Sequence, residues 1–100
     1  MSTTTLPLTF KEAIDMGKYD ENFLSQYNEW ELMDDHIRFQ FISKAIANKR
    51  RQLRIQWANL ANNLDFSKKP HLKEAQKKVE QAIRDLNDDE EMLQVQYAGK

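Results

Sequence analysis

The feature that most constrains this chain is a pair of apolar stripes at helical period, separated by a single break. At about 100° per residue, Phe39, Ile42, Ile46, Leu53, Trp57, Leu60 and Leu64 fall on one side of a helix that starts after Asp34. The run Asp65-Phe66-Ser67-Lys68-Lys69-Pro70 then interrupts the pattern. A second stripe follows, made of Leu72, Ala75, Val79, Ala82, Ile83, Leu86, Leu93 and Tyr97, with Leu72, Val79, Leu86 and Leu93 at heptad spacing. Asp34 has the chemistry of an N-cap, Pro70 fits only a first helical turn, and Gly99 is a natural stop. The first helix should run to about 30 residues, or ~45 Å. Parallel packing would need a long connection, which is missing, so the two helices must fold back on each other. The expected fold is therefore all-α, a coiled-coil-like antiparallel hairpin over residues 34–98.

Charge agrees with that topology. With the turn centred near Ser67, residues Lys44, Lys49 and Arg50 lie opposite Glu91, Leu86 and Asp85, so the block Lys49-Arg50-Arg51 meets the acidic run 85–91. Glu90 sits inside the second apolar stripe, and Lys49 and Arg50 fill the matching gap in the first. Such a placement suits a polar contact that sets the register of the hairpin better than an acid-base group with a raised pKa. Only two glycines and two prolines occur in 100 residues, which also favours long helices over turn-rich sheets.

Ahead of the hairpin, residues 1–8 form a tail and residues 9–33 a set of short helices within one domain spanning 9–100. Thr9 and Glu12 have the spacing of a capping box, predicting a helix to about Met16 that ends at Gly17. Asp20 can cap a second over residues 21–26. Asn28 and Glu31 repeat the box around Trp30 and predict a further turn over 28–33.

Several functions are disfavoured by what the residues are. There is no cysteine, which removes disulfides, thiolate metal sites and cysteine nucleophiles. The N-terminus has neither basic residues nor an apolar core, as a secretory signal would, and no segment approaches the ~20 apolar residues of a membrane span. A cytoplasmic location with no membrane association is the resulting expectation. His36 beside Asp34 and Asp35, and the pair Glu31 and Asp35, lack the second histidine at helical spacing that a metal motif needs; His71 starts a helix beside Pro70. No nucleophile is matched with a base, so neither a catalytic set, a metal nor a cofactor is expected, and the chain does not read as an enzyme.

What remains is surface. Ile37, Phe41, Ala45 and Ile55 form a weaker second stripe on the first long helix, and Met92 and Val95 lie off the main stripe of the last. The N-terminal segment adds aromatic residues, among them Phe23, Tyr27 and Trp30. Either the short helices fold over this second face, or part of it is an interface, with Ile37, Phe41, Ile55, Phe23, Tyr27 and Trp30 as candidates. A chain this short buries only a modest core, and a homodimer closing into a four-helix bundle would bury the rest. The expected role is a protein-protein interaction or assembly module, with itself or another protein as partner. The alternative is a nucleic-acid or ribosome-associated protein using the basic patch Lys44, Lys49, Arg50, Arg51 and Arg54, with Arg51 and Arg54 furthest from the seam as phosphate contacts. No aromatic-and-basic groove is legible beside them. A third possibility is an enzyme subunit whose chemistry lies in its partner.

The segments Tyr19-Asp20-Glu21-Asn22-Phe23-Leu24-Ser25-Gln26-Tyr27, Arg38-Phe39-Gln40-Phe41-Ile42 and Lys49-Arg50-Arg51-Gln52-Leu53 resemble small, uncharacterised helical proteins of cyanobacterial type. That resemblance covers most of the chain and implies a cytoplasmic bacterial protein, with no activity or site residues attached.

Overall fold

The computed structural model describes residues 7–63 and 66–100. Among the described residues five α-helices follow one another: α1 (Phe10–Asp15), α2 (Glu21–Leu24), α3 (Asn28–Glu31), α4 (Asp35–Ala61) and α5 (Pro70–Ala98). The chain is all-helical, and the two long helices pack against each other. It divides into two compact units, the first ending at Asn48 and the second beginning at Lys49, with α4 running through the boundary. Leu64 and Asp65, at the end of the first stripe and the start of the connection, lie outside the described residues, as does most of the tail 1–8.

In the first unit, local chemistry explains each short helix. The Glu12 N–H donates to Thr9 Oγ1 at 3.1 Å and the Thr9 N–H donates to Glu12 Oε1 at 2.9 Å, closing the capping box of α1. At the other end Gly17 has φ 84, a left-handed conformation that other residues enter only under strain. That turn lets the Lys18 N–H donate back to the Ala13 carbonyl at 2.9 Å. Asp20 caps α2 through the Asn22 N–H, although α2 ends at Leu24, short of Gln26.

The cap of α3 departs from expectation. Tyr27, not Asn28, is its N-cap, in an extended conformation and without a side-chain cap bond, so Asn28 becomes the first helical residue. The Tyr27 ring is buried and its hydroxyl donates to the Leu8 carbonyl at 2.7 Å. Tertiary anchoring of Tyr27 thus decides where the helix begins.

α4 starts as expected, with the Ile37 N–H donating to Asp34 Oδ1 at 2.9 Å. Across α3 and α4, Arg38 Nε and Nη2 both donate to the Trp30 carbonyl, at 3.0 and 2.8 Å, and the guanidinium lies 5.1 Å from the Trp30 ring centroid. That carbonyl lies at the end of a one-turn helix and also accepts from the Met33 N–H at 3.2 Å, and the arginine takes up its remaining acceptor capacity. Phe10 is the hub of the aromatic packing, meeting Tyr27 and Phe41 edge-on at 5.7 and 5.1 Å and Trp30 at 6.4 Å. Asn48 Nδ2 donates to the Ile14 carbonyl at 3.0 Å, tying α1 to α4. Ala13, Ile14, Leu24, Ile42 and Ala45 are all fully or nearly fully buried.

In the second unit, residues 49–61 of α4 run against α5. Leu53 and Leu86 are buried, while Leu60, Leu72, Val79, Ile83 and Leu93 are half-buried, as a single two-helix seam allows. Pro70 opens α5 behind Lys69, with no side-chain cap bond. Gly99 ends it with φ −85, so its glycine is not used for a left-handed turn. Among the described residues no helix is long and apolar enough to cross a membrane.

Two outcomes follow. Leu53→Ala should lower the stability of the chain by about 2–5 kcal/mol in chemical denaturation, the usual result of emptying a buried leucine site. The bonds from Thr9, first its backbone N–H and then its hydroxyl, hold the Glu12 carboxyl below its ordinary value of 4.5. A carboxylate depressed in the folded state contributes stability above its unfolded pKa and loses it as pH falls through the folded value. The α1 amide resonances should therefore show an acid transition below pH 4.5, and Glu12→Ala should abolish it.

Candidate interaction surface

Within the second unit, polar contacts of Arg50 and of Trp57 join α4 to α5 across the seam. Arg50 Nη2 donates to Glu90 Oε1 at 2.6 Å and to Asn87 Oδ1 at 3.0 Å, with Arg50 Nε also on Asn87 at 3.3 Å. Further along, Trp57 Nε1 donates to Glu80 Oε2 at 3.0 Å. The anticipated meeting of Arg50 with the run 85–91 is present. Its register differs: Arg50 reaches Asn87 and Glu90 instead of facing Asp85. An arginine leans several ångströms along the helix to find a carboxylate, which a count of opposed backbone positions misses. Glu90 breaks the apolar stripe because Arg50 needs a partner there.

The six residues singled out as interaction candidates separate sharply. Tyr27 and Trp30 are interior, 7 % and 5 % exposed. Phe41 packs on Phe10, Phe23 packs edge-on against Tyr27 at 5.8 Å, and Ile37 is half-buried. Ile55 alone of the six is exposed, at 53 %. In the first unit, then, the short helices use the second apolar face of α4 as their own packing surface. Burial, reinforced by Glu12 and Glu29, pushes the Tyr27 phenol above its ordinary pKa, as fits an interior hydroxyl bonded to a carbonyl.

The outward surface lies elsewhere. On α5, Met92 and Val95 are 69 % and 76 % exposed, on the side turned away from Leu86 and Tyr97. Beside the seam, Arg54, Trp57, Glu80, Ile83 and Arg84 line an open groove of about 430 Å³. No such groove was legible from the chain, because Trp57 falls in the apolar stripe and reads as core. It sits at the margin of the seam, where its ring stays 38 % exposed and its N–H finds Glu80. A tryptophan opposite a glutamate five residues ahead of the acidic run was the available signal. Arg54 is exposed on this groove, and Arg51 is exposed on the same helix. Among the described residues no group of three or more histidine, cysteine or acidic side chains is placed to hold a metal ion.

Comparison with family models, with curated proteins and with solved structures finds no match to this chain.

Because Arg50 and Glu90 are only partly exposed, at 20 % and 30 %, their coupling should be modest. A double-mutant cycle with Arg50→Met and Glu90→Leu should return about 1 kcal/mol. The double variant should remain folded and within about 1 kcal/mol of the parent, since an apolar pair can replace a seam ion pair.

Proposed function

We propose that this chain is a non-catalytic helical interaction module that acts by self-association. The supporting observation is the pair of large apolar side chains, Met92 and Val95, left in water on the face of α5 turned away from its seam. Leu32 and Ile55, 88 % and 53 % exposed, add to the apolar surface that folding leaves uncovered. A monomer of this size gains little from such residues, whereas a partner surface would bury them. Chemistry of the catalytic kind has no comparable support.

A second reading, binding to nucleic acid, is favoured by one feature: Arg54 and Arg84 line the groove together with Trp57. An aromatic ring sharing a groove with two guanidiniums can stack a base and meet a phosphate. Against it stand Glu80 in the groove itself and the acidic run that follows Arg84 on α5.

Sedimentation velocity of the full chain over micromolar to submillimolar concentration should show mass rising towards twice 11.9 kDa. A constant monomer mass would remove the self-association reading. An electrophoretic shift with single-stranded oligonucleotides that weakens steeply with salt would favour the second reading instead.

A further inference from the structure

The charges of α5 are segregated along its length. Residues 70–84 carry four basic side chains against two acidic, and residues 85–98 carry five acidic and none basic. Of those five, Glu90 is bound to Arg50 at the seam. The others do not share its position. At about 100° per step, Asp88 and Glu91 share the outward face of α5 with Lys73, Lys77 and Arg84 from the basic half and with Met92 and Val95. All seven are exposed. Local contacts engage the middle of this face: Arg84 Nη2 donates to Gln81 Oε1, and Gln81 Nε2 donates to Asp85 Oδ1, each at 2.8 Å.

We infer that this outward face of α5 pairs antiparallel with the same face of a second copy, the basic half and Trp57 groove of each receiving the acidic and apolar half of the other. The inference rests on the self-association reading and names its surface. Three observations select a second copy. First, a helix basic in one half and acidic in the other is complementary to itself when reversed, and repels itself when parallel. Second, the pairing is isologous: with a two-fold axis near residue 86, Arg84 of each copy meets Asp88 of the other, Lys77 meets Val95, and Glu80 meets Met92. No two like charges on this face are set opposite each other. The assembly closes at two copies instead of growing. Third, the groove that holds Arg54, Trp57, Ile83 and Arg84 opens beside the basic half, where it offers cations and an apolar floor to an acidic and apolar segment.

The size of the face sets the strength. A helix of 29 residues presents a strip of about 43 Å by 10 Å, or roughly 400 Å² per copy, at the low end of specific interfaces. Dimerisation should therefore appear at micromolar or higher concentration, and should weaken as salt screens the exposed pairs.

Charge reversal tests it. Sedimentation equilibrium of the full chain at low salt should show a dimer. Arg84→Asp and Asp88→Arg should each weaken it by about tenfold, since every dimer contains the pair twice. Because position 84 of one copy meets 88 of the other, the chain carrying both reversals should regain the parent affinity. Met92→Asp should weaken the dimer too, and dimerisation should alter the fluorescence of Trp57 in a Trp30→Phe background. Helical content by circular dichroism separates lost pairing from lost folding, and the double reversal carries the same surface charges as the parent. A dimer indifferent to these changes, or single reversals that the double does not rescue, would overturn the α5 face and leave self-association standing. A monomer at every concentration would overturn both.

Discussion

Everything in the first unit depends on the width of the apolar arc on α4. Between Ile37 and Ile46 the apolar residues Ile37, Phe39, Phe41, Ile42, Ala45 and Ile46 spread over more than half of the helix circumference. One neighbouring helix cannot cover such an arc, because a helix contact buries a stripe of limited width. Within the first unit the short helices supply cover, with Phe10 on Phe41 and Asn48 bound to Ile14. Past Asn48 the covered arc narrows to the side of Leu53, Trp57 and Leu60, while Ile55 on the other side stays exposed. The division of the chain at residues 48 and 49 coincides with that narrowing.

The short helices are individually far below the length at which a helix is stable by itself. They persist because their ends are satisfied by specific partners. Thr9 and Glu12 close one end of α1, Gly17 the other, Asp20 caps α2, and Arg38 takes the carbonyl of Trp30 at the end of α3. Each of these bonds fixes the direction of the chain, and a buried apolar side chain then supplies the burial: Phe10 and Ile14 in α1, Leu24 in α2 and Trp30 in α3. Tyr27 does both, through its ring and through its bond to the Leu8 carbonyl.

The second unit works by a different balance. Its seam has few buried residues, with Leu53 and Leu86 at its centre, and it places Arg50 with Asn87 and Glu90, and Trp57 with Glu80, at points where apolar pairs would bury more area. Polar contacts of this kind contribute little net stability but penalise slippage strongly, since any other register strands a charge. A seam so lightly built leaves the far side of α5 in solvent along its whole length, and the proposed pairing draws on that surplus.

The sequence by itself determined the all-helical class, the two long helices with their break before Pro70, the caps at Thr9, Asp20 and Asp34, and the engagement of Arg50 with the acidic run. These depend on periodicity and on bonds between residues two or three apart, or on gross charge across one seam, and all are visible in one dimension. Tertiary structure alone decided that Tyr27 and not Asn28 is the N-cap of α3, that Tyr27 and Trp30 are interior and Phe41 half-buried while Ile55 is exposed, and that Trp57 lies at the seam margin in the groove with Arg54 and Arg84. An apolar residue on a helix records that burial is favourable, not which element provides it. That choice is made by packing between segments far apart in the chain, where a turn such as that at Gly17 redirects α1 and no local pattern encodes the result.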